Sequence, residues 1–416
     1  MKGRFIYIIL IIQSMPPAGT SSLHRRRTQA IESNVLRVPE VYLMRLMHIA
    51  DLHLGAPMRY LGEAAATRRR ERDAGFLKLI DIALKKADLL IISGDLFDMH
   101  DPDQALAGMV RSQLKRLRSG GVETVLVPGN HDEITYTAST YKDDEWDSCC
   151  TIVRCPRPEA VLEKEVAGER VFVCSCAYTG GMTTASDLRE LPRVPEGAFG
   201  IIALHATVDM DLPGSNEDRA MKASSKDMER AGYSYAALGH IHKGRVWAQG
   251  GLTLAYPGII DPYEFGDGAK GEALLVEVSD GKVSIGSIPV DGLERYADLE
   301  FPVTDLTPEK AAEGILAKAA GAKYLKARLT GSVPSAFSAG KVYEALAPHF
   351  GFLSIEDDAL RLDPEELSNM ARENSARGIF VARMLKLMEK AGDDEKGVLD
   401  AALKKGLEAL RKGVGR

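Results

Sequence analysis

Five short stretches of this sequence close an apolar run with residues that can hold metal or move protons. They are "IADLHLG" with Asp51 and His53, "ISGDLFD" with Asp95, "VPGNHDE" with Asn130 and His131, "ALHATVD" with His205, and "LGHIHKG" with His240 and His242. Residues i and i+2 of an extended segment point the same way, so Asp51 with His53, and His240 with His242, are each expected to face a common centre. Leaving His131 aside, the set offers two carboxylates, four imidazoles and one amide oxygen. That exceeds what one ion can use with room left for substrate, and fits two ions about 3.5–4 Å apart with one carboxylate between them.

The donors mix nitrogen and oxygen without a thiolate, which suits manganese, iron or zinc better than a calcium or magnesium cage. Such a pair supports phosphoester hydrolysis, in which a metal-activated hydroxide attacks while the ions neutralise charge on the phosphoryl oxygens. The leaving alkoxide then needs a proton. An imidazole is the side chain suited to proton transfer near neutral pH, so His131 is the expected general acid, with Asp132 expected to hydrogen-bond to it and keep it charged. Gly94 and Gly129 are expected to let the backbone turn sharply and come close to the site.

Loops so far apart in sequence meet only if a sheet brings them to one edge, as the carboxyl ends of strands do in open α/β folds. The runs "DLLIISG", "VETVLVP", "GIIALHA" and "YAALG" are short and almost continuously apolar, as strands buried on both faces are. Helix-like segments at Glu63 to Lys86 and Pro102 to Arg118 are long enough for crossovers. The later runs "LTLAY", "ALLVEV" and "VSIGSIP" follow one another without a helix and are expected to add antiparallel pairing. The expected fold class is therefore α/β, two mixed β-sheets sandwiched and flanked by helices over residues 44–290. A smaller α+β unit follows over 291–360, with Thr307 capping a helix that begins at Pro308 and "YLKARLTG" as an alternating strand. A helical tail spans 361–416, with Phe380, Met384, Leu385 and Met388 on one face, and Leu399, Ala402, Leu403 and Leu410 on another. Gly378, Gly397 and Gly406 weaken these helices individually, so they must dock on something.

The series D-x-H, GD, GNHD, H and GHxH, intact from Asp51 to His242, resembles the calcineurin-like metallophosphoesterase superfamily. That resemblance implies that Asp51, His53, Asp95 and His242 hold a first metal and Asp95, Asn130, His205 and His240 a second, with Asp95 bridging and His131 as the acid. It implies Mn2+ as the expected metal, with Fe2+ or Zn2+ as alternatives. The flanks "MRLMHIADLHLGAPM" and "YPGIIDPYEFGDGAKGEALLVEV" narrow the likeness to the SbcD and Mre-type DNA repair exonucleases. By it, residues 291–360 would be a DNA-contacting cap, the tail would dock a coiled-coil ATPase of the SbcC type, and two chains would pair as a homodimer. One departure is Ile259, where many relatives carry serine after Tyr-Pro-Gly. The function expected is a metal-dependent DNA exonuclease, against two alternatives: a phosphoesterase for a small nucleotide or lipid phosphoester, and a non-catalytic DNA-end scaffold.

Composition sets outer bounds. Over 416 residues, with 45% hydrophobic and 27% charged, two folded units are the default, and a net charge of −6 confines any nucleic-acid binding to a local patch. Five cysteines form no CxxC pair and their odd number argues against a disulfide framework, so a reducing, cytoplasmic setting is expected, with Cys174 and Cys176 as buried strand residues. Residues 1–43, with the run "FIYIILII", are expected to be an unstructured leader or a mis-assigned start, since the run is too short to span a bilayer. His48 is expected to be a satisfied core histidine, and His24, His100 and His349 surface residues. Asp98 is expected either to support a neighbouring loop or to cap the next helix. The arginines at 68, 69, 70 and 72, and the cations Arg111, Lys115, Arg116 and Arg118, are balanced between solvated helix surface and phosphate contact. Tyr60 with Arg59, and Tyr263 with Phe265, are candidates for base stacking, with rim packing the favoured reading.

Overall fold

The computed structural model describes residues 43–413 apart from 181–186, 211–220, 268–271, 280, 292 and 294. The expectations for the leader and for His24 thus lie outside the described residues. The chain begins as β1 (Met44–Ile49), α1 (Ala65–Lys86), β2 (Leu89–Ser93), α2 (Gln104–Ser119), β3 (Glu123–Val127) and β4 (Thr151–Ile152). It continues through β5 (Glu159–Val166), β6 (Glu169–Ser175), β7 (Phe199–His205), β8 (Thr207–Val208), β9 (Lys222–Ala223) and α3 (Ser225–Ala231). Then come β10 (Tyr235–Gly239), β11 (Arg245–Gln249), β12 (Leu252–Tyr256), β13 (Glu272–Ser279) and β14 (Lys282–Pro289).

These strands make two six-stranded mixed sheets, ordered β14-β13-β1-β2-β3-β4 and β11-β12-β10-β7-β6-β5. The expected sandwich is therefore present. β1, β2 and β3 run parallel, as do β6, β7, β10 and β12, and the five residue clusters all follow carboxyl ends of strands from these two sets. Apolar side chains of both sheets share one core, which explains why these strands read as continuous hydrophobic runs. β12 departs from expectation, because it pairs parallel to β10 and takes its antiparallel partner from β11. β11 was invisible as a strand because it is an exposed edge, with "RVWAQ" lacking a buried apolar face.

One polar chain crosses the sandwich. Tyr235 on β10 lies 2.8 Å from His48 Nδ1 on β1, His48 Nε2 lies 3.1 Å from Ser93 Oγ on β2, and Ser93 Oγ donates to the Ala237 carbonyl at 3.0 Å. With Ser93 as donor, His48 Nε2 carries the proton and the Tyr235 hydroxyl donates to Nδ1, so every buried group is satisfied. His48 is the core histidine expected.

After β14 come β15 (Tyr296–Pro302), α4 (Pro308–Lys318), β16 (Tyr324–Val333), α5 (Ala339–Leu346) and β17 (Phe352–Leu362), whose strands pair in parallel throughout. Thr307 Oγ accepts from the Lys310 N–H, as the expected cap. Tyr296, Tyr324 and Phe352, at the start of the three strands, pack with Tyr263, Phe265, Met58 and Leu61. The tail forms α6 (Pro364–Met370), α7 (Ala376–Lys390) and α8 (Asp393–Gly413), which bury Leu367, Met370, Val381, Met384, Leu403 and Leu407 together. Leu407 takes the inward place expected of Ala402, which is exposed. Gly406 is a site of close packing, since a side chain there would overlap the Phe380 ring. All five cysteines are free, with Cys174 and Cys176 buried. Among the described residues no helix is long and apolar enough to cross a membrane.

Burial lowers the His48 pKa from 6.5 to about 3, so the unfolded chain binds more protons than the folded one between those values. The stability this residue contributes is complete above pH 6.5 and is lost as pH falls toward 3. Tyr235→Phe strips the donor from His48 Nδ1 and is expected to cost about 1–3 kcal/mol in urea unfolding at neutral pH. An unchanged midpoint would mean that the chain of hydrogen bonds carries no stability.

Candidate metal centre

The loops after β1 and β2 are zipped together by their backbones. Asp51 N–H donates to Gly94 C=O at 3.1 Å, His53 N–H to Asp95 C=O at 2.9 Å, and Asp98 N–H to Leu54 C=O at 3.0 Å. Asp51, His53, Asp95 and His240 all have positive φ, at 55°, 45°, 50° and 94°. Such backbone is uncommon for non-glycine residues and persists only where surrounding structure enforces it. Gly94, also left-handed, and Gly129 sit where a methyl group would overlap the His205 ring and the Asp95 carboxylate respectively, as the sequence reading anticipated.

The left-handed turns overturn one expectation, because neither histidine pair lies in simple extended chain. Asp51 and His53 still share a centre, with His242, but His240 and His242 diverge. His242 Nε2 lies 3.2 Å from His53 Nε2, whereas His240 Nδ1 lies 2.9 Å from Asn130 Oδ1. Three overlapping groups of donors result. Asp51, His53 and His242 offer one atom each within 4.8 Å of one another, as do Asp51, Asp95 and His205, and His53, Asp95 and His131. Asn130 Oδ1, 2.9 Å from His205 Nε2, joins the second group. Asp95 lies between them: its Oδ2 is 3.3 Å from His205 Nε2 and 3.9 Å from His53 Nε2, while its Oδ1 accepts the His131 N–H at 2.9 Å.

The groups on the far side of each ring, a backbone carbonyl at His205 and carboxylates facing His53 and His242, test whether this set fits cations. His205 Nδ1 donates to the Ser93 carbonyl at 2.9 Å, His53 Nδ1 faces Asp98 Oδ1 at 3.4 Å, and His242 Nδ1 faces Asp267 Oδ1 at 3.5 Å. Protons held on the outer nitrogens leave the Nε2 lone pairs of His53, His242 and His205 converging on one another and on carboxylate and amide oxygens. Lone pairs at such distances repel unless a positive charge sits among them, and this outer-partner arrangement is the one that orients metal-binding imidazoles. The donors therefore fit a pair of divalent ions. Electrostatics in the metal-free protein agree. Burial opposes charge on His205, yet the Asp95 and Asp51 carboxylates raise it to about 9; burial likewise opposes charge on Asp95, which neighbouring His205, His53 and His131 hold well below the usual carboxylate range.

His131 lies against the first group, its ring centroid 4.7 Å from that of His53, and it groups with His53 and Asp95. Its side chain is 31% exposed, and Nδ1 lies 3.2 Å from the Asp98 carbonyl and 3.6 Å from Asp98 Oδ1. Asp132 does not touch the His131 ring. Its carboxylate accepts from Gly129 N–H at 2.7 Å, Phe97 N–H at 3.1 Å and Tyr141 O–H at 2.6 Å, so it staples the β3 loop to the β2 loop. Asp98 takes the part imagined for Asp132, facing both His53 and His131 and receiving a hydrogen bond from Tyr263. Nor is it the helix cap, which is Asp103, whose carboxylate accepts from Ala105 N–H at 2.9 Å. Asp98, Asp267 and Tyr263 were not identified as site residues from sequence; the only available signal was their place within "GDLFD" and "YEFGD".

Arg68 and Arg72 are neither solvated nor open to phosphate. Both are buried against Asp261, and Arg72 Nη1 also donates to the His53 carbonyl at 3.2 Å, bracing the first metal loop. Arg111 and Arg116 are paired with Glu145 and Asp81. Tyr60 O–H donates to Tyr263 C=O at 2.6 Å and Phe265 packs among Tyr296 and Phe352, which is the rim packing expected. Ile259 is buried, and its N–H holds the His242 carbonyl at 2.8 Å.

The family model described as calcineurin-like phosphoesterase matches residues 44–244. The chain is 28% identical over 247 residues to the uncharacterized metallophosphoesterase YhaO of Bacillus subtilis, a match covering 58% of this chain and 59% of that protein. It is 28% identical over 277 residues to the DNA double-strand break repair protein Mre11 of Sulfurisphaera tokodaii, covering 61% and 64%. With the protein of the same name from Saccharolobus solfataricus it shares 30% identity over 243 residues, covering 55% and 59%. The chain thus spans about three fifths of the length of these relatives.

The Asp95 and Asp51 carboxylates raise His205 to about 9 and so favour a second proton on its ring, which has to leave before an ion binds; metal uptake should therefore release protons and tighten as pH rises from 7 toward 9. Calorimetric titration with Mn2+ in buffers of different ionisation enthalpy measures the release directly. Uptake with no proton released at pH 7 would contradict the arrangement described.

Proposed function

Residues 44–244 belong to the calcineurin-like phosphoesterase superfamily, and from that membership we propose that the chain is a metal-dependent DNA nuclease, an exonuclease of the SbcD and Mre type. The observation that carries the reading is the convergence of seven donor side chains at the ends of five strands, with one further imidazole, His131, half-buried beside them. Repair proteins among the relatives support DNA as the substrate.

In this proposal Asp51, His53, Asp95 and His242 hold one divalent ion, and Asp95, Asn130, His205 and His240 the other, Mn2+ being the favoured metal. When bound, such a pair supplies Lewis-acid activation of a water nucleophile and neutralises charge on the phosphoryl group. The remaining steps fall to the protein. Asp95, tied through Oδ1 to the His131 N–H, keeps the acid at a fixed distance from the reacting phosphate. His131 Nδ1 is engaged with Asp98, so Nε2 is the atom that delivers a proton to the departing alkoxide. Asp98 positions that ring and the His53 ring together. Residues 291–360 serve as the cap over the cleft, and the tail, where Ile379, Leu387 and Val398 are exposed, docks a coiled-coil ATPase.

A second reading, a phosphoesterase for small molecules, is favoured by one observation. The face of the β15-β16-β17 sheet that starts with Tyr296, Tyr324 and Phe352 continues outward as Asp298–Lys326–Ser354 and Glu300–Arg328–Glu356, with Asp358 beside Arg328. This acid-rich surface repels a phosphate backbone. Assays with Mn2+ on a short DNA duplex and on a small phosphodiester separate the readings, since the nuclease prefers the duplex and the small-molecule enzyme does not.

His131→Ala is expected to retain metal by elemental analysis and to lower turnover on DNA by about 10²–10⁴-fold. A variant as active as the parent would remove His131 from the mechanism.

A further inference from the structure

Several arginines of the phosphoesterase region are already engaged: Arg45, Arg68, Arg111, Arg116, Arg154 and Arg170 each lie against a carboxylate. Lys243 and Arg245 differ. Both are exposed, and neither has a carboxylate partner among the described residues. Their place is unusual too, since Lys243 directly follows His242 and Arg245 opens β11, the edge strand of its sheet. Fully extended, the chain carries Arg245 no more than about 10 Å beyond His242.

Arg245 is not a free-swinging surface cation. Its guanidinium lies over the Trp247 ring at 4.6 Å from the centroid, and the indole stacks on Tyr256 at 5.6 Å with 22° between planes. Tyr256 O–H in turn donates to the Ala206 carbonyl at 2.9 Å and accepts from Val208 N–H at 3.0 Å, gripping the segment that follows His205. From the other side, the Ile259 N–H fixes the His242 carbonyl at 2.8 Å. A guanidinium held over an aromatic ring loses little conformational freedom when it binds, and its fork of N–H groups matches phosphate oxygens. The stack therefore holds a pre-ordered cation at a set position relative to two of the metal loops.

We propose that Lys243 and Arg245 form a subsite for a second phosphate of a nucleic-acid strand, the one flanking the bond to be cut. The proposal rests on the phosphodiesterase reading above and deepens it: a substrate with one phosphate cannot use this subsite, whereas a polynucleotide can. It also gives an acidic protein its local patch for a polyanion, outside the acid-rich sheet face.

The test uses the full chain loaded with Mn2+, comparing Arg245→Ala, Arg245→Lys and the Lys243→Ala/Arg245→Ala double variant with the parent. Each is assayed on an oligothymidylate of about ten nucleotides and on bis(p-nitrophenyl) phosphate. The ratio of kcat/KM on the oligonucleotide to kcat/KM on the small diester should fall at least about tenfold in the double variant, through KM, with Arg245→Lys intermediate. Binding is read separately, from oligonucleotide anisotropy with Ca2+ in place of Mn2+ at several salt concentrations. There the double variant should lose about one unit of the slope of log affinity against log salt. An unchanged ratio together with an unchanged slope would overturn the subsite. If the parent cleaves neither substrate, the phosphodiesterase reading fails instead, and the salt slope still decides whether these cations meet phosphate.

Discussion

Asp51 and Asp95 are carboxylates almost wholly withdrawn from water at the ends of two adjacent strands, and their charge must be answered from within the protein. Burying such ions costs several kcal/mol each unless opposite charge and hydrogen bonds surround them. Here the answering groups come from four chain segments: the backbone N–H of His131 on Asp95 and that of His240 on Asp51, and imidazoles from β7 and from the segments after β1 and β10. Two sheets must therefore present their carboxyl ends at one edge, backbones must turn left-handed at four of the donor residues, and glycines must stand where those backbones touch. The Ser93 carbonyl shows how tightly this is drawn, since the residue that holds His205 also anchors, through its hydroxyl, the hydrogen-bond chain across the sandwich.

A second network ties this edge to the rest of the chain. Asp261, in the loop after β12, receives Arg68 and is flanked by Arg72, while Arg68 Nε donates to Tyr296 O–H at 3.2 Å. The same loop carries Tyr263 over the His53 ring at 4.9 Å and Asp267 beside His242. Burial and the hydrogen bond to Asp98 push the Tyr263 hydroxyl up to about 12, so it stays a neutral donor to Asp98 across the working pH range. Arginines balanced in the sequence between solvated surface and phosphate contact are thus the fastening between α1, the loop after β1 and the strand that opens the smaller sheet.

What was legible in the sequence followed from local physics. Short apolar runs ending in polar clusters announced buried strands and a shared edge, and Thr307 with Pro308 announced a helix start. What escaped was non-local or depended on backbone handedness. The divergence of His240 from His242 comes from a φ of 94° that no spacing rule encodes. Asp132 lost its expected partner because three donors, two of them backbone groups, claim its oxygens first. The partner of Arg68 lies 193 positions away, beyond any pattern along a helix. β11 was missed because an exposed edge strand needs no apolar face.

If these loops hold two cations with Asp95 shared between them, elemental analysis of the purified chain after equilibration with Mn2+ and removal of free metal should find close to two ions per chain, and Asp95→Asn should lose metal from both positions. A parent that retains no metal, or an Asp95→Asn protein that keeps both ions, would exclude that arrangement.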